Sequence, residues 1–367
     1  MQRSVRRGSM AERLGLGLGA LGLLVLLVSY FLGVPGAAQS YLYGYSFFLA
    51  LTLGTLSVLL LHHLMKSHWG QALQPFLEAS VLTLPYLAVL SLPILITLPE
   101  LYPWAQPEKV AADPLLQHRQ PYNNPLFYTV RMAVYFLFWS FVAGRLVGWG
   151  RTAEAALVQK RTETAAWGLA LFVVVTTFGA FDLLMGLEPH FYSASYGALF
   201  AVGHTLGGLA FAAMLATRTP AVAAFLVRKN LQNQANLMLA FSIIWIYLAL
   251  TTFIIVWGAN FPHEVEYYVP RSEGFWGGVA VALLLGQFLL PFLALLTNPP
   301  KRNPRVLFYV ALWIVAFRLV DHTWTVIPSF DRGLLWSDLA ALLGVGGLWL
   351  VAFTQQLRRR LEAVEGR

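Results

Sequence analysis

The sequence predicts an all-α, polytopic integral membrane protein of about ten transmembrane helices, arranged as helix bundles, with both termini in the cytoplasm. Three observations carry that prediction. Of the 367 residues 58% are apolar and only 11% are charged, against about 25% charged in soluble domains, which excludes a soluble enzyme. Ten apolar runs reach the ~20 residues that a helix needs to cross a bilayer core. The basic residues gather in alternate loops, the signature of membrane orientation, so the net charge of +8 reads as topology and not as a nucleic-acid surface.

In chain order, the spans are expected at 14–34, 41–62, 76–99, 125–149, 165–186, 191–217, 235–258, 275–297, 306–328 and 335–356. They form one membrane domain over 14–356, between a cytoplasmic tail at 1–13 and a basic cytoplasmic tail at 357–367. The first run is Gly/Leu-rich and follows Arg3, Arg6, Arg7 and Arg13. Its length and the missing small-residue cleavage site favour a retained span over a signal peptide. Asn124-Pro125 and Asn303-Pro304 open spans four and nine with helix-start chemistry, an asparagine cap and a proline in the first turn. Gly15, Gly17, Gly19 and Gly22 in span one, and Gly203, Gly207 and Gly208 in span six, read as faces for close helix packing. The loops at 100–124 and 259–274 are rich in Pro, Trp and Tyr, and read either as docking loops for extracytoplasmic partners or as interfacial belts and capping turns.

Orientation follows from a count. Of 25 Lys and Arg, Arg131 and Arg318 fall inside spans and Lys109, Arg119, Arg271 and Arg332 lie on one side, leaving 19 on the side of the termini. The basic runs Arg358–Arg360 and Lys301-Arg302 are placed to meet anionic lipid headgroups. The absence of cysteine removes disulfides, thiolate metal sites and a thiol nucleophile together.

A charge inside the bilayer is costly unless paired or hydrated, so each one is a functional candidate. Those candidates are Arg131 in span four, Asp182 in span five with His190 in the turn beyond it, His204 in span six, and Arg318, Asp321 and His322 in span nine. Gln287 and Asp338 are further polar residues in spans eight and ten. Nearly all lie in the outer half once orientation is applied. Arg318, Asp321 and His322 are spaced i, i+3, i+4 and share a helix face, so Arg318 and Asp321 are expected to pair; Arg131 and Asp182 are candidate partners across two helices. His190 and His204 are 14 residues apart, but no second helix carries a matching pair for a bis-His haem. No His/Asp/Glu cluster has metal-ligand spacing beyond Asp321-His322, so no metal site is assigned, and no residue is assigned to catalysis.

One segment carries a family resemblance. Phe181-Asp182-Leu183-Leu184-Met185-Gly186-Leu187-Glu188-Pro189-His190, continuing through Ser193 to Tyr196-Gly197, resembles the corresponding stretch of the second quinone-binding-type membrane subunit, the F subunit, of bacterial alternative complex III. Asn124-Pro125 through Arg131, Trp257-Gly258-Ala259-Asn260-Phe261-Pro262-His263-Glu264, and Arg318-Leu319-Val320-Asp321-His322-Thr323-Trp324 resemble the same family, and the similarity runs from about residue 40 to 355. Gly186, Glu188 and Ala194 depart from the Ser, Asp and Thr common there, and His322 stands at a position that is often aliphatic or aromatic.

The resemblance implies an NrfD-like subunit, related to polysulfide-reductase-type membrane subunits, in the bacterial cytoplasmic membrane. Its implied partners are a second NrfD-like membrane subunit, a periplasmic iron–sulfur subunit and c-type cytochromes. Haem and iron–sulfur centres would sit on those partners only. The implied non-covalent ligand is a quinone, menaquinone among the options. The function expected is thus that of a membrane subunit without a redox centre in a quinol-oxidising complex of respiratory or photosynthetic electron transfer. Arg131, Asp182, His190, His204, Arg318, Asp321 and His322 would bind a quinone headgroup or conduct protons. Two alternatives stand beside it: a proton-coupled secondary transporter, and a structural membrane anchor for redox subunits.

Overall fold

The computed structural model describes residues 10–65, 68–150 and 154–365. The expected cations Arg3, Arg6, Arg7, Lys66, Arg151 and Arg367 lie outside the described residues, as does the N-terminal tail up to residue 9. Ten helical segments are long and apolar enough to cross a membrane. With no strand among the described residues, the chain is an all-α, polytopic membrane protein. An even number of crossings returns the last helix to the face where the first began.

Helix α1 (Met10–Phe31) leads into α2 (Ala37–Met65). The third span is broken by its prolines into α3 (Gln74–Val81), α4 (Leu84–Leu90), α5 (Leu92–Ile96) and α6 (Leu98–Leu101). Pro75, Pro85, Pro93 and Pro99 each sit in the first turn of one piece, where the missing N–H costs nothing. Two short helices, α7 (Pro107–Ala112) and α8 (Pro114–Arg119), form the loop to α9 (Pro125–Trp149). Then come α10 (Ala155–Leu183), α11 (Tyr196–Ala216) and α12 (Arg228–Ala259). A loop helix, α13 (Pro262–Ser272), precedes span eight, which consists of α14 (Gly274–Leu283), a π-helical turn (Leu284–Leu289) and α15 (Leu290–Leu296). Helices α16 (Pro304–Val326) and α17 (Trp336–Glu365) complete the chain.

The asparagine caps form as the sequence requires. Asn124 Oδ1 accepts from Phe127 N at 2.9 Å and Asn303 Oδ1 from Arg305 N at 2.9 Å. Asn260 ends α12 in the left-handed region with φ 51°, a conformation asparagine tolerates. Helices α10 and α12 begin about three and two turns before the apolar runs do, and α17 carries straight through the expected basic tail to Glu365.

Helix α2 is the hub. It packs against α3, α10, α11 and α17, and nearly every residue from Ala37 to His63 is buried. Glycines permit the closest approaches. Gly54 of α2 meets the backbone of His204 and Gly208 on α11, while Gly15, Gly19 and Gly22 lay α1 against Gly344 and Gly347 of α17. Gly17 has open space beside it, and Gly203 and Gly207 face an arginine side chain instead of a helix backbone. The C-terminal cations are also partly inward. Arg358 pairs with Glu12 at 3.0 Å and Arg360 with Glu78 at 3.6 Å, so two of the three residues expected at lipid headgroups tie α17 to α1 and α3.

Candidate functional site

A cavity of about 420 Å³ opens among α11, α12, α14 and α16 in the half of the bundle away from the termini. Its wall is apolar and aromatic (Phe191, Tyr196, Phe200, Trp245 and Trp324 among others), and Arg318, Asp321, His322, His204 and Arg271 converge on it. That combination, an apolar chamber with few polar groups, is typical of small-molecule sites.

The polar groups reach it from three elements. On α16, Arg318 and Asp321 lie one turn apart and their Nη1 and Oδ2 are 2.8 Å from each other. Nε of Arg318 is buried without a hydrogen-bond acceptor, and Nη1 has none besides the Asp321 carboxylate. Glycine makes the room for this arginine. A Cβ on Gly203 would lie 2.7 Å from Arg318 Nη2, and one on Gly207 3.3 Å from its Cγ. One turn along α11, His204 makes ring contacts with Phe200, with centroids 4.2 Å apart, and with His322 at 6.2 Å. His322 Nε2 lies 2.9 Å from Ser46 Oγ and 3.2 Å from the Tyr43 carbonyl. A carbonyl only accepts, so Nε2 carries the proton and Nδ1 is the acceptor of the neutral ring.

Arg271 belongs to the same chamber and was not among the residues singled out from the sequence. It is fully buried. Its Nη1 donates to Tyr267 O at 2.6 Å, and Nη2 donates to Glu188 Oε1 at 2.7 Å, Ser329 Oγ at 2.7 Å and Thr325 O at 2.9 Å. Its guanidinium also stands 3.7 Å over the Tyr267 ring. One side chain thereby fastens α13 to the end of α16 and to the turn after α10. Burial works against the Arg271 charge, but Tyr267 and Glu188 outweigh it and hold its pKa above the ordinary value. Burial pushes the Tyr267 hydroxyl up to about 12, the nearby Arg271 notwithstanding. The only sequence signal for Arg271 was a lone cation beside Tyr267-Tyr268 in an acidic loop.

Arg131 and Asp182 lie elsewhere. Arg131 Nε and Nη2 donate to the two oxygens of Asp182 at 2.8 and 3.0 Å, and Tyr135 Oη donates to Oδ2 at 2.8 Å. Arg131 Nη1 donates to Tyr122 O at 2.8 Å, and the guanidinium lies 3.8 Å over the Tyr122 ring. Asp182 and Tyr122 line a second cavity of about 270 Å³, and Phe191 forms part of the wall of both. The expected outer cluster is therefore two sites that share one aromatic wall.

His190 is in neither. It is half-exposed and pairs with Asp113 at 2.9 Å in the loop region. Partial burial pulls the Asp113 carboxyl up, but the Leu115 N–H and His190 overcome it and hold the group below the usual carboxylate range. Asp338 pairs with Arg332 at 2.8 Å and accepts from Ser40 at 2.7 Å. Gln287, on the π-helical turn, is fully buried with neither amide atom hydrogen-bonded. At the opposite end of the bundle Glu78 of α3 is fully buried and accepts from Gln74 Nε2 at 2.7 Å. Among the described residues no three His, Asp or Glu side chains gather at metal-binding distance.

The fold and site define a class: a polytopic helical membrane protein with an apolar, cation-lined chamber in the half away from its termini. No protein-family model and no curated protein matches the chain.

Proposed function

We propose that the chain is a membrane subunit of a quinol-oxidising electron-transfer complex, similar to the F subunit of alternative complex III, and that the 420 Å³ cavity receives the quinone headgroup. The observation that supports this most is the buried Arg318 Nε without an acceptor on an otherwise aromatic and apolar wall. An unpaired buried donor costs about 1–3 kcal/mol, and a ring oxygen is an acceptor of the right kind in a chamber of the right character. Arg271 has one such nitrogen, Nε.

The residues present fit the group. Arg318 would donate to one ring oxygen, while Asp321 Oδ2 and the His204 ring stand where protons can be held. A quinol bound there would supply two electrons to partner subunits and two protons to the site. Asp321 would take a proton only as its hold on Arg318 loosens, which couples occupancy of the cavity to the ion pair. Bulk water is kept back by α13, which Arg271 fastens. In this reading the Arg131–Asp182 pair braces α9 against α10, and the bacterial cytoplasmic membrane and the iron–sulfur, cytochrome and second membrane subunits are the setting the resemblance implies.

The test is purification in mild detergent through a C-terminal tag, with a visible spectrum and identification of co-purifying chains. The outcome expected is a c-type haem spectrum with iron–sulfur and second membrane subunits, together with saturable binding of menadione to the preparation. A colourless single chain that binds no menadione would favour the transporter reading.

A further inference from the structure

We propose that the cavity is loaded sideways out of the bilayer, through a window between α12 and α14 that holds the apolar tail of the ligand. This rests on reading the cavity as a headgroup site.

The window follows from the way span eight is built. Its inner part, α15 and the π-helical turn, packs along α12, whereas its outer part, α14, leans onto α16 and α13. The change of direction falls at the π-helical turn. A π-turn displaces the i→i−4 ladder and leaves a carbonyl over; here Gly286 O accepts from Trp313 Nε1 of α16 at 2.8 Å. Gly286 also has no room for a Cβ, because the Phe317 ring of α16 fills that place. The outer half of span eight is thus drawn toward α16 and away from α12, leaving no packed seam between α12 and α14.

The residues at the gap carry the mark of an opening. Leu250 and Phe253 of α12 and Val281 and Leu284 of the eighth span all line the cavity. Yet they are 44%, 41%, 58% and 45% exposed. A residue that both lines a chamber and faces outward stands at its rim, and this rim is wholly apolar. Leu250 lies nine residues before the end of α12 and Val281 seven after the start of α14. At 1.5 Å per residue that is roughly 10–14 Å below the helix ends, the depth of acyl chains rather than of water. From the aqueous side α13 closes the chamber and Arg271 binds it down. A molecule that reaches Arg318 by this window must be dissolved in the bilayer, and a polyprenyl tail would rest between Leu250 and Val281.

The experiment uses the full chain in phosphatidylcholine nanodiscs and two tritiated probes with one ring system: menadione, without a tail, and a menaquinone with a polyprenyl tail. Leu250→Trp and Val281→Trp narrow the window from opposite sides, at positions exposed enough to accept the bulk. Each is expected to weaken menaquinone binding at least tenfold and to leave menadione binding within twofold of the parent. Equal losses of both probes, or no loss of either, in a variant that still binds menadione measurably would overturn the window. So would displacement of menaquinone by phosphatidylglycerol at equal concentration, which would assign the gap to a lipid chain. Failure of the parent chain to bind menadione would instead overturn the headgroup reading and is seen separately.

Discussion

Two arginine–aspartate pairs within the membrane-spanning helices, Arg131–Asp182 and Arg318–Asp321, are built in opposite ways. Arg131 and Asp182 come from different helices, meet through two aligned hydrogen bonds, and have their remaining valences taken up by Tyr135 and the Tyr122 carbonyl. Arg318 and Asp321 come from one helix, meet at one point through Nη1, and leave Nε without an acceptor. A bidentate, saturated pair is the strong and geometrically determined kind. Arg318 and Asp321 make a single close contact, and both residues line the chamber. Saturation marks the first as a brace, and the second is the pair proposed above to receive a ligand.

The comparison can be broken most forcefully at the brace. Asp182→Leu leaves Arg131 buried without its counter-ion and is expected to cost about 3–5 kcal/mol, while Arg131→Met/Asp182→Leu recovers most of the loss. Thermal unfolding in detergent measures both. If the single variant is as stable as the parent, the pair is no brace.

Next in size is the fastening of the chamber. Arg271→Lys keeps the charge but loses the fork that bonds Glu188, Ser329 and Thr325 together. Charge-assisted bonds contribute about 1.5–3 kcal/mol each, so amide hydrogen exchange in α13 should accelerate by tenfold or more with little change in the core helices. Unchanged exchange would mean that α13 is held by its aromatic contacts alone.

The receptor is tested by neutralising it as a pair. Arg318→Met/Asp321→Asn is expected to fold and to lose menadione binding at least tenfold, about 1.4 kcal/mol. Retained binding and retained activity would favour a structural anchor, in which the charges only fix helix register. A gentler probe is Gly203→Ala, whose methyl group meets the Arg318 guanidinium. The side chain can swing aside, so the fold should survive while menadione affinity falls a few-fold; no change in affinity would show that the arginine's position is immaterial.

The smallest effect is expected outside the membrane. The Asp113 carboxyl is depressed in the folded state, so its contribution is present above the ordinary carboxylate pKa of about 3.9. That contribution is lost as pH falls through the folded value. Amide protection factors over α7 and α8, corrected for the intrinsic exchange rate, should fall as pH drops through the folded value in the parent and hold steady in Asp113→Asn.

The sequence determined most of the frame. Ten apolar runs, the asparagine–proline starts of α9 and α16 and the i, i+3, i+4 spacing of Arg318, Asp321 and His322 are local facts, set by bilayer thickness, capping chemistry and helix period. Candidate charges were legible because each stood alone in an apolar run. Only the tertiary structure decided which charges meet, since pairing across helices depends on crossing points that no local pattern encodes. It separated Arg131 and Asp182 from the span-nine group, left His190 outside both cavities, and brought in Arg271 from 47 residues before Arg318. It also gave Gly203 and Gly207 an arginine to accommodate where their spacing suggested a helix. The reason is the same in each case: a side chain's partner is fixed by which helices come to lie together, and that is settled by the packing of all ten.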